Sequence, residues 1–414
     1  MDYIADLHTH SRYAAACSDK LTIENIAKAA DEKGINVIGT GDFTHPKWMQ
    51  ELKLSLKEDE EGTYRANDGK VRFVLSSEVC TISNPDGKGA KKVHTCILAP
   101  GIADAESISK SLSKHGNLAS DGRPVLMISA EELANEIKDA SPESILFPAH
   151  IWTPWFGALG AMSGFNTIED AYGSAARHIS GYETGLSSDP PMNWRVSKLD
   201  NYSMLSNSDA HSLPKLGREA TVFNLKELSY KYLSESIKSN KNIRMTVEFY
   251  PEEGKYHYDG HRNCKVSLSP EQSKKYNGIC PVCRRRLTIG VMHRVDDLAD
   301  RLEGYAPKAS QSYLHVVPLI EIISSVIGKG QATAQAMGIY SSIIKKFGNE
   351  MNALINASPE DLKAADREVG NAIERVREQR IKVTPGYDGV FGIVELFKDA
   401  SPQKPNGQKT INEF

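Results

Sequence analysis

His8-Thr-His10 sets two imidazoles one residue apart, directly after a short apolar run, Tyr3–Leu7, that reads as a strand. Residues two apart in extended chain face the same side, so the pair can aim at one metal ion. Other metal-type side chains recur in the same setting. Asp42 and His45 follow a second predicted strand, Asn36–Gly39, and Glu78 follows Phe73–Leu75. His150 follows Ile145–Phe147, Glu183 follows Gly181-Tyr182, and Asp209-Ala-His211 follows Ser203–Leu205. This mixture suits two or three divalent ions (Zn, Mn, Fe or Mg): imidazole takes borderline-soft metals, and carboxylates bridge and offset charge. Such ions activate water and clamp the attacking and leaving oxygens of a phosphate, so the set points to metal-assisted phosphoester hydrolysis without a Ser or Cys nucleophile. The expected ligands are His8, His10, Asp42, His45, Glu78, His94, His150, Asp209 and His211. Glu78, Glu183, Asp209 and His211 are the expected catalytic residues, Glu183 either at the chemistry or orienting a ligand. Asp42 can equally cap a helix and His45 sit in a loop; His94 starts its predicted strand, Val93–Leu98, and reads as core or as ligand.

The elements that must carry these groups alternate. Thr22 can cap a helix whose Ile23, Ile26, Ala27 and Ala30 share one face, and Gly34 ends it. Strands separated by helical patterns, the last near Thr221–Phe223, imply parallel β/α units. Their number implies a closed, TIM-like barrel over residues 1–245, in which side chains beyond the strand ends converge. The fold class is therefore α/β: a distorted barrel, a small zinc-binding basic module over 246–308, a mostly helical region over 309–400, and a polar tail over 401–414.

The module is marked by His261-Arg-Asn-Cys264 and Cys280-Pro-Val-Cys283. Two knuckles with two-residue gaps can place four ligands tetrahedrally round a structural zinc, with His257 or His293 as alternatives to His261. Cys17, Cys80 and Cys96 have no such spacing and read as thiols in packing. Basic residues gather here with aromatic rings: Lys255, Tyr256, Tyr258, Arg262, Lys265, Lys274, Lys275, Arg284, Arg285 and Arg286. That combination suits a phosphate backbone and stacked bases, and a nucleic-acid substrate for the barrel. Trp152, Trp155, Phe156 and Trp194, in predicted loops near the site, could stack on or wedge against a base.

Composition bounds the rest. In 414 residues, 50 Lys+Arg against 53 Asp+Glu leave a formal charge of −3, which excludes a wholly basic, histone-like binder but not a local basic groove. Hydrophobic residues at 40% and charged residues at 25% exclude wholesale disorder. Six cysteines in so long a chain fit a reducing compartment. The reading is a cytoplasmic monomer without a membrane-spanning run.

Asp6-Leu-His-Thr-His10, Ser18-Asp19 before a helix, Thr40-Gly-Asp42, Glu78, His94, His150 and Asp209-Ala-His211 together resemble the PHP (polymerase and histidinol phosphatase) family. The resemblance implies a distorted β/α barrel with two or three metals and phosphoesterase activity. The family's second motif is here Thr40-Gly-Asp-Phe-Thr-His45, so either or both of Asp42 and His45 remain candidates. Asp19 lies later after the first histidines than the family pattern expects. Gly39–Pro46, Ser120–Pro124, Pro148–Pro154, Glu183–Pro190, Ser206–His211 and the two zinc knuckles resemble a DNA-repair branch of that family over nearly all of residues 1–395. That resemblance implies cleavage 5′ to a deaminated base (uracil, hypoxanthine, xanthine) or an abasic site, leaving 3′-hydroxyl and 5′-phosphate ends. A small-molecule phosphatase leaves the zinc module unexplained, and a non-catalytic DNA binder leaves the ligand set unexplained. Gln408, Ile411 and Phe414 in the tail resemble the peptide by which replication and repair proteins bind the sliding clamp PCNA.

Overall fold

The computed structural model describes residues 1–67, 69–84, 87, 89–308 and 310–397. The tail with Gln408, Ile411 and Phe414 lies outside the described residues. Strands are β1 (Asp2–Asp6), β2 (Val37–Gly39), β3 (Leu56–Glu60), β4 (Thr63–Ala66), β5 (Arg72–Ser83), β6 (Lys91–Ala99), β7 (Val125–Leu126), β8 (Ile145–Pro148), β9 (Gly181–Glu183), β10 (Ser203–Leu205), β11 (Ala220–Asn224), β12 (Ile243–Glu248), β13 (Asp259–His261), β14 (Val266–Leu268), β15 (Ser312–His315), β16 (Lys382–Thr384) and β17 (Ile393–Glu395). The first helix, α1 (Ile23–Lys33), starts at Thr22, whose hydroxyl accepts from the Asn25 N–H, and ends at Gly34 with φ 87°. Ile23, Ile26 and Ala30 are its buried face.

Eleven strands share one mixed sheet, ordered β15-β12-β11-β1-β2-β5-β4-β3, with β6 and β7 on β5 and β8 on β6. β9 and β10 form a separate parallel pair, tied to β8 by a Leu146–Ile179 bridge. The expected parallel units are thus replaced, among the described residues, by mixed ladders, and isolated bridges (Leu146–Ile179 and Thr9–Ala210) link β8 to β9 and the segment after β10 to the segment after β1. Only residues 84–90 join β5 to β6, too few for a parallel crossover, so the two pair antiparallel over their length. Successive residues feed opposite faces of the sheet. Phe73 and Leu75 enter one apolar cluster and Val74 another, as do Leu146 against Ile145 and Phe147. With both faces covered, polar side chains at the strand ends are held in dry, fixed surroundings.

β12 and β15 pair in parallel within the main sheet, so the cysteine-bearing module is an insertion between two sheet strands. The boundaries expected at 245 and 308 differ from this: 245 falls inside β12, and β15 belongs to the sheet. The helices beyond it, Leu319–Ile327, Ala334–Phe347, Pro359–Ala365 and Arg367–Arg377, enclose their own apolar cluster. A buried Lys33–Glu350 pair at 2.8 Å docks them on α1, and Glu350 also accepts from the Leu319 N–H and the Tyr340 hydroxyl. Among the described residues no helix is long and apolar enough to cross a membrane.

Candidate metal centre and nucleic-acid interface

The segment after β1 is laced to the loop after β10. Leu7 N–H donates to Asn207 Oδ1 (2.8 Å), His10 N–H to the Ala210 carbonyl (3.2 Å), and Thr9 bridges Ala210. Buried Asp6 accepts from Ser208 N–H and hydroxyl and from Gly217 N–H, which fixes that loop. These ties bring His8, His10 and Asp209 together against Glu78. His10 Nε2 lies 3.1 Å from Asp209 Oδ1 and 3.3 Å from Glu78 Oε2; His8 Nε2 lies 3.6 and 3.5 Å from the same atoms. Glu78 sits within β5, not after it, because that strand continues to Ser83. Its other oxygen, Oε1, faces His94 Nδ1 at 2.6 Å and His150 Nε2 at 3.0 Å. Glu78 is therefore the carboxylate shared by two donor groups, His8-His10-Glu78-Asp209 and Glu78-His94-His150.

These donors fit divalent ions. His94 Nδ1 and His150 Nε2 face each other at 3.3 Å across one carboxylate oxygen, and buried His8 Nε2 has no hydrogen-bond partner. Buried polar atoms are ordinarily satisfied, so converging lone pairs imply a missing acceptor of electrons. Burial pulls the His94 imidazole down to about 4. Burial alone would raise the carboxyls of Glu78 and Asp209. The His94 and His8 imidazoles outweigh it for Glu78, and the hydrogen bond from His10 with the charge of His8 does so for Asp209, so both are held well below the usual range.

A second tier orients the ligands. Glu183 accepts from His8 Nδ1 (3.0 Å), the His150 N–H (2.7 Å) and the Asn207 amide (2.9 Å). Asp42 accepts from His10 Nδ1 (2.9 Å) and from Ser11 N–H and hydroxyl (both 2.6 Å). Both carboxylates thus fix which imidazole nitrogen is free for metal. Cys96 also lies with His8 and Glu183, but on the side where His8 Nδ1 is already bonded, and burial pushes its thiol up to about 12. His45 turns away from the cluster: it caps the helix Pro46–Ser55, accepting from the Trp48 N–H, with Nε2 on the Ala119 carbonyl. His211 stands at the rim, Nδ1 on the Asp209 carbonyl and its ring 4.7 Å from that of His10. Asp42, His150 and Asp209 all have positive φ, 51°, 28° and 46°. Such conformations cost about 1–3 kcal/mol each and persist where neighbours enforce them. Replacing Glu183 by glutamine is expected to lower metal affinity about 10–100-fold, read by metal titration.

Sequence reasoning missed Arg123. Its guanidinium reaches Glu78 Oε2 at 3.2 Å and is about a quarter exposed (26%). The stretch Ser120–Pro124 carries the signal, since Asp121 accepts from the Arg123 and Ala15 N–H groups.

In the module, His261, Cys264, Cys280 and Cys283 bring their ligating atoms within 4.8 Å of one another. The alternatives to His261 are placed elsewhere: His293 bonds Asp259, and His257 is buried (5% exposed) outside the four-residue cluster. Burial opposes ionisation of the Cys280 thiol, but the N–H groups of Cys283 and Val282 lower it. Lys255, Arg262, Arg284, Arg285 and Arg286 are exposed and Tyr258 is half-buried, whereas Lys274 and Lys275 pair with Asp296 and Glu271.

Two of the four aromatic candidates are core. Trp152 is fully buried with its indole N–H on Asn193, and Trp194 packs edge-on against Tyr313. They lie on loops, as expected, but face inward and cannot stack on a base. Trp155 is 39% exposed, and Phe156 stacks on His94 at 4.6 Å.

Fold and site define a metal-dependent endonuclease. Over 95% of both chains the structure is similar to the lesion-specific endonuclease PfuEndoQ from Pyrococcus furiosus, with a TM-score of 0.86 and 30% identity. It is likewise similar to endonuclease Q in complex with a 27-mer duplex bearing an abasic lesion at the active site, at 0.84 and 29% over 98% of this chain and 100% of that one. The chain belongs to the endonuclease Q family. Protein YqxK of Bacillus subtilis is 28% identical over 94% of this chain and 98% of its own length. Protein MJ0043 of Methanocaldococcus jannaschii is 35% identical over 61% of this chain, which spans about a third (32%) of that longer protein. Residues 318–380 match the MJ0043 C-terminal domain family and coincide with the helical region.

Proposed function

We propose that this chain is a DNA repair endonuclease that hydrolyses the phosphodiester 5′ to uracil, hypoxanthine, xanthine or an abasic site, leaving 3′-hydroxyl and 5′-phosphate ends. The observation that carries this reading is the full-length likeness to endonuclease Q bound to a duplex with an abasic lesion at its active site. His8, His10, Glu78, His94, His150 and Asp209 are the residues that would hold two or three divalent ions. Such ions, when bound, supply water activation and offset the charge of the phosphate under attack. The chain's own groups do the rest. Glu183 and Asp42 lock the His8 and His10 tautomers, and Glu78 sets the spacing of the donor groups. Arg123, bonded to Glu78 and partly exposed, is the cation placed to receive an anionic phosphate beside the donor groups. Arg284, Arg285 and Arg286 supply sequence-independent contacts to the backbone, on a module held by one structural zinc.

The test is a labelled duplex bearing one uracil or hypoxanthine, incubated with protein and Mg²⁺ or Mn²⁺ beside an undamaged duplex and a phosphomonoester. Lesion-dependent nicking is expected; its absence, or preferential release of phosphate from the monoester, overturns the reading. The tail is assigned to PCNA binding. Deleting residues 408–414 is expected to leave nicking unchanged while abolishing stimulation by the clamp, and unchanged clamp binding in a pull-down discards the assignment.

A further inference from the structure

The hairpin formed by β16 and β17 belongs in sequence to the helical region but is fastened to the zinc module. Tyr258 N–H donates to the Gly386 carbonyl (3.0 Å), and Gly386 N–H to that of Glu252 (2.8 Å). Gly389 N–H donates to the carbonyl of Lys255 (2.9 Å), and Gly392 N–H to that of Glu253 (3.1 Å). The Asp388 carboxylate accepts from the Arg262 N–H (2.7 Å) and the Thr288 hydroxyl (2.6 Å). A methyl group at Gly392 would meet the Glu252 carbonyl at 2.1 Å, so the two backbones touch. A turn held by this many bonds is rigid. Yet it presents Val390 at 39% and Phe391 at 65% exposure. Exposed apolar side chains on a pre-organised loop mark a contact surface.

The surroundings say what it contacts. Lys255 Nζ lies 4.5 Å over the Phe391 ring, and Arg262 stands exposed beside it, while the tip's carboxylate is turned onto Arg262 N–H and Thr288. Next to Lys255, Tyr256 meets Trp155 edge-on at 5.0 Å. Next to Trp155, Phe156 stacks on His94, which bonds Glu78. Ring and cation contacts on neighbouring chain positions therefore link the candidate metal centre to the hairpin tip. Positive charge mixed with rings, continuous with a phosphodiester-cutting site, is the chemistry that receives a nucleic-acid strand.

We infer that the Tyr387–Gly392 turn is the wedge that opens the duplex at the lesion, with Phe391 stacking in the space the displaced base leaves. The inference rests on the proposed function. Base displacement costs unpairing and unstacking, least for an abasic site, where no base remains to be moved. Phe391 then matters most where the lesion is a stacked, paired base.

The experiment compares wild-type protein with Phe391→Ala and Phe391→Trp, on duplexes with uracil opposite adenine or an abasic site and 2-aminopurine beside the lesion. Wild type is expected to give a fluorescence rise before nicking. Phe391→Ala is expected to lose the rise on the uracil duplex and to nick it roughly tenfold or more slowly, with less than about a threefold change on the abasic duplex; Phe391→Trp restores both. Equal rise and nicking in Phe391→Ala overturn the wedge and point to a protein partner for this tip. If wild type nicks no lesion duplex, the repair reading falls instead. The surface is then judged by fluorescence anisotropy on undamaged duplex, where unchanged affinity in Phe391→Ala overturns it and a clear loss supports it.

Discussion

Glu78→Gln protein is expected to lose lesion-dependent nicking by about a thousandfold or more, equivalent to about 4 kcal/mol of transition-state stabilisation, while remaining folded. The reason is position. One oxygen of Glu78 faces His8, His10 and Arg123, and the other faces His94 and His150. No other side chain among the described residues joins both groups containing at least two histidines. Glutamine has nearly the same shape, so β5 and its two apolar faces persist. The amide carries no charge, however, and its NH₂ must point at nitrogens that need an acceptor or a metal. Breaking a buried charged network by removing one member costs about 3–5 kcal/mol, and here that cost falls on metal affinity. Two readouts separate chemistry from folding: nicking of a uracil duplex with added Mn²⁺, and metal content per chain by mass spectrometry. Nicking within tenfold of wild type, with unchanged metal content, removes Glu78 from the shared position.

The grouping of His, Asp and Glu in the candidate metal centre was largely legible because its signals are local. His8-Thr-His10, His150 and Asp209-Ala-His211 each sit at the end of a short apolar run, and such runs are readable as strands. His94 and Glu78 were harder. β5 and β6 are long strands whose polar members point into the site from mid-strand, so position relative to a strand end misplaces them. His45 follows the motif but is spent on a helix cap, and that depends on which way the chain turns after Asp42, a residue with positive φ. Arg123 comes from a loop that no periodicity marks. Trp152 and Trp194 show the converse limit: loop residues are counted as available until the inward packing of the loop is seen. The all-parallel reading failed because alternation of strand and helix patterns does not register the short, antiparallel β5–β6 connection.

The position of the β16–β17 hairpin follows from the same limits. Backbone bridges such as that of Tyr258 with Tyr387, more than a hundred residues apart, are set by how the helical region folds back on the module. Sequence placed the basic and aromatic residues of 255–286 together and treated the remainder of the chain as a helical region without a motif. The structure joins the two. The hairpin at the far end of the helical region completes a surface whose other members, Lys255, Tyr256 and Trp155, were legible as separate local features. Damage to the module should therefore reach the hairpin tip without touching the metal centre, which gives the second large expected effect.

Cys280→Ser is expected to abolish zinc binding by the module and unfold its 259–288 portion while leaving the sheet intact. That portion has little else to hold it. Among its described residues, Cys280 and Leu287 are the only buried hydrophobic ones, too few to offset the roughly 1–2 kcal/mol of backbone entropy per ordered residue. In structural sites of this kind, metal binding supplies about 10–16 kcal/mol of folding free energy. Cys280 is the buried ligand, its N–H on the Arg285 carbonyl and its carbonyl receiving the Arg284 N–H, so its replacement also loosens the turn that carries the three arginines. The hairpin tip should loosen with it, because Tyr258, Arg262 and Thr288 fasten that tip. Three measurements check this: zinc per chain falling from one to none, protease cleavage appearing within 259–288, and duplex affinity dropping with a shallower dependence on salt. The sheet-side donors, His8, His10, Glu78, His94, His150 and Asp209, share no bond with the module's four candidate ligands, so nicking at high protein concentration should survive. A Cys280→Ser protein that keeps one zinc, resists protease and binds DNA as before would show that the module folds without its fourth ligand.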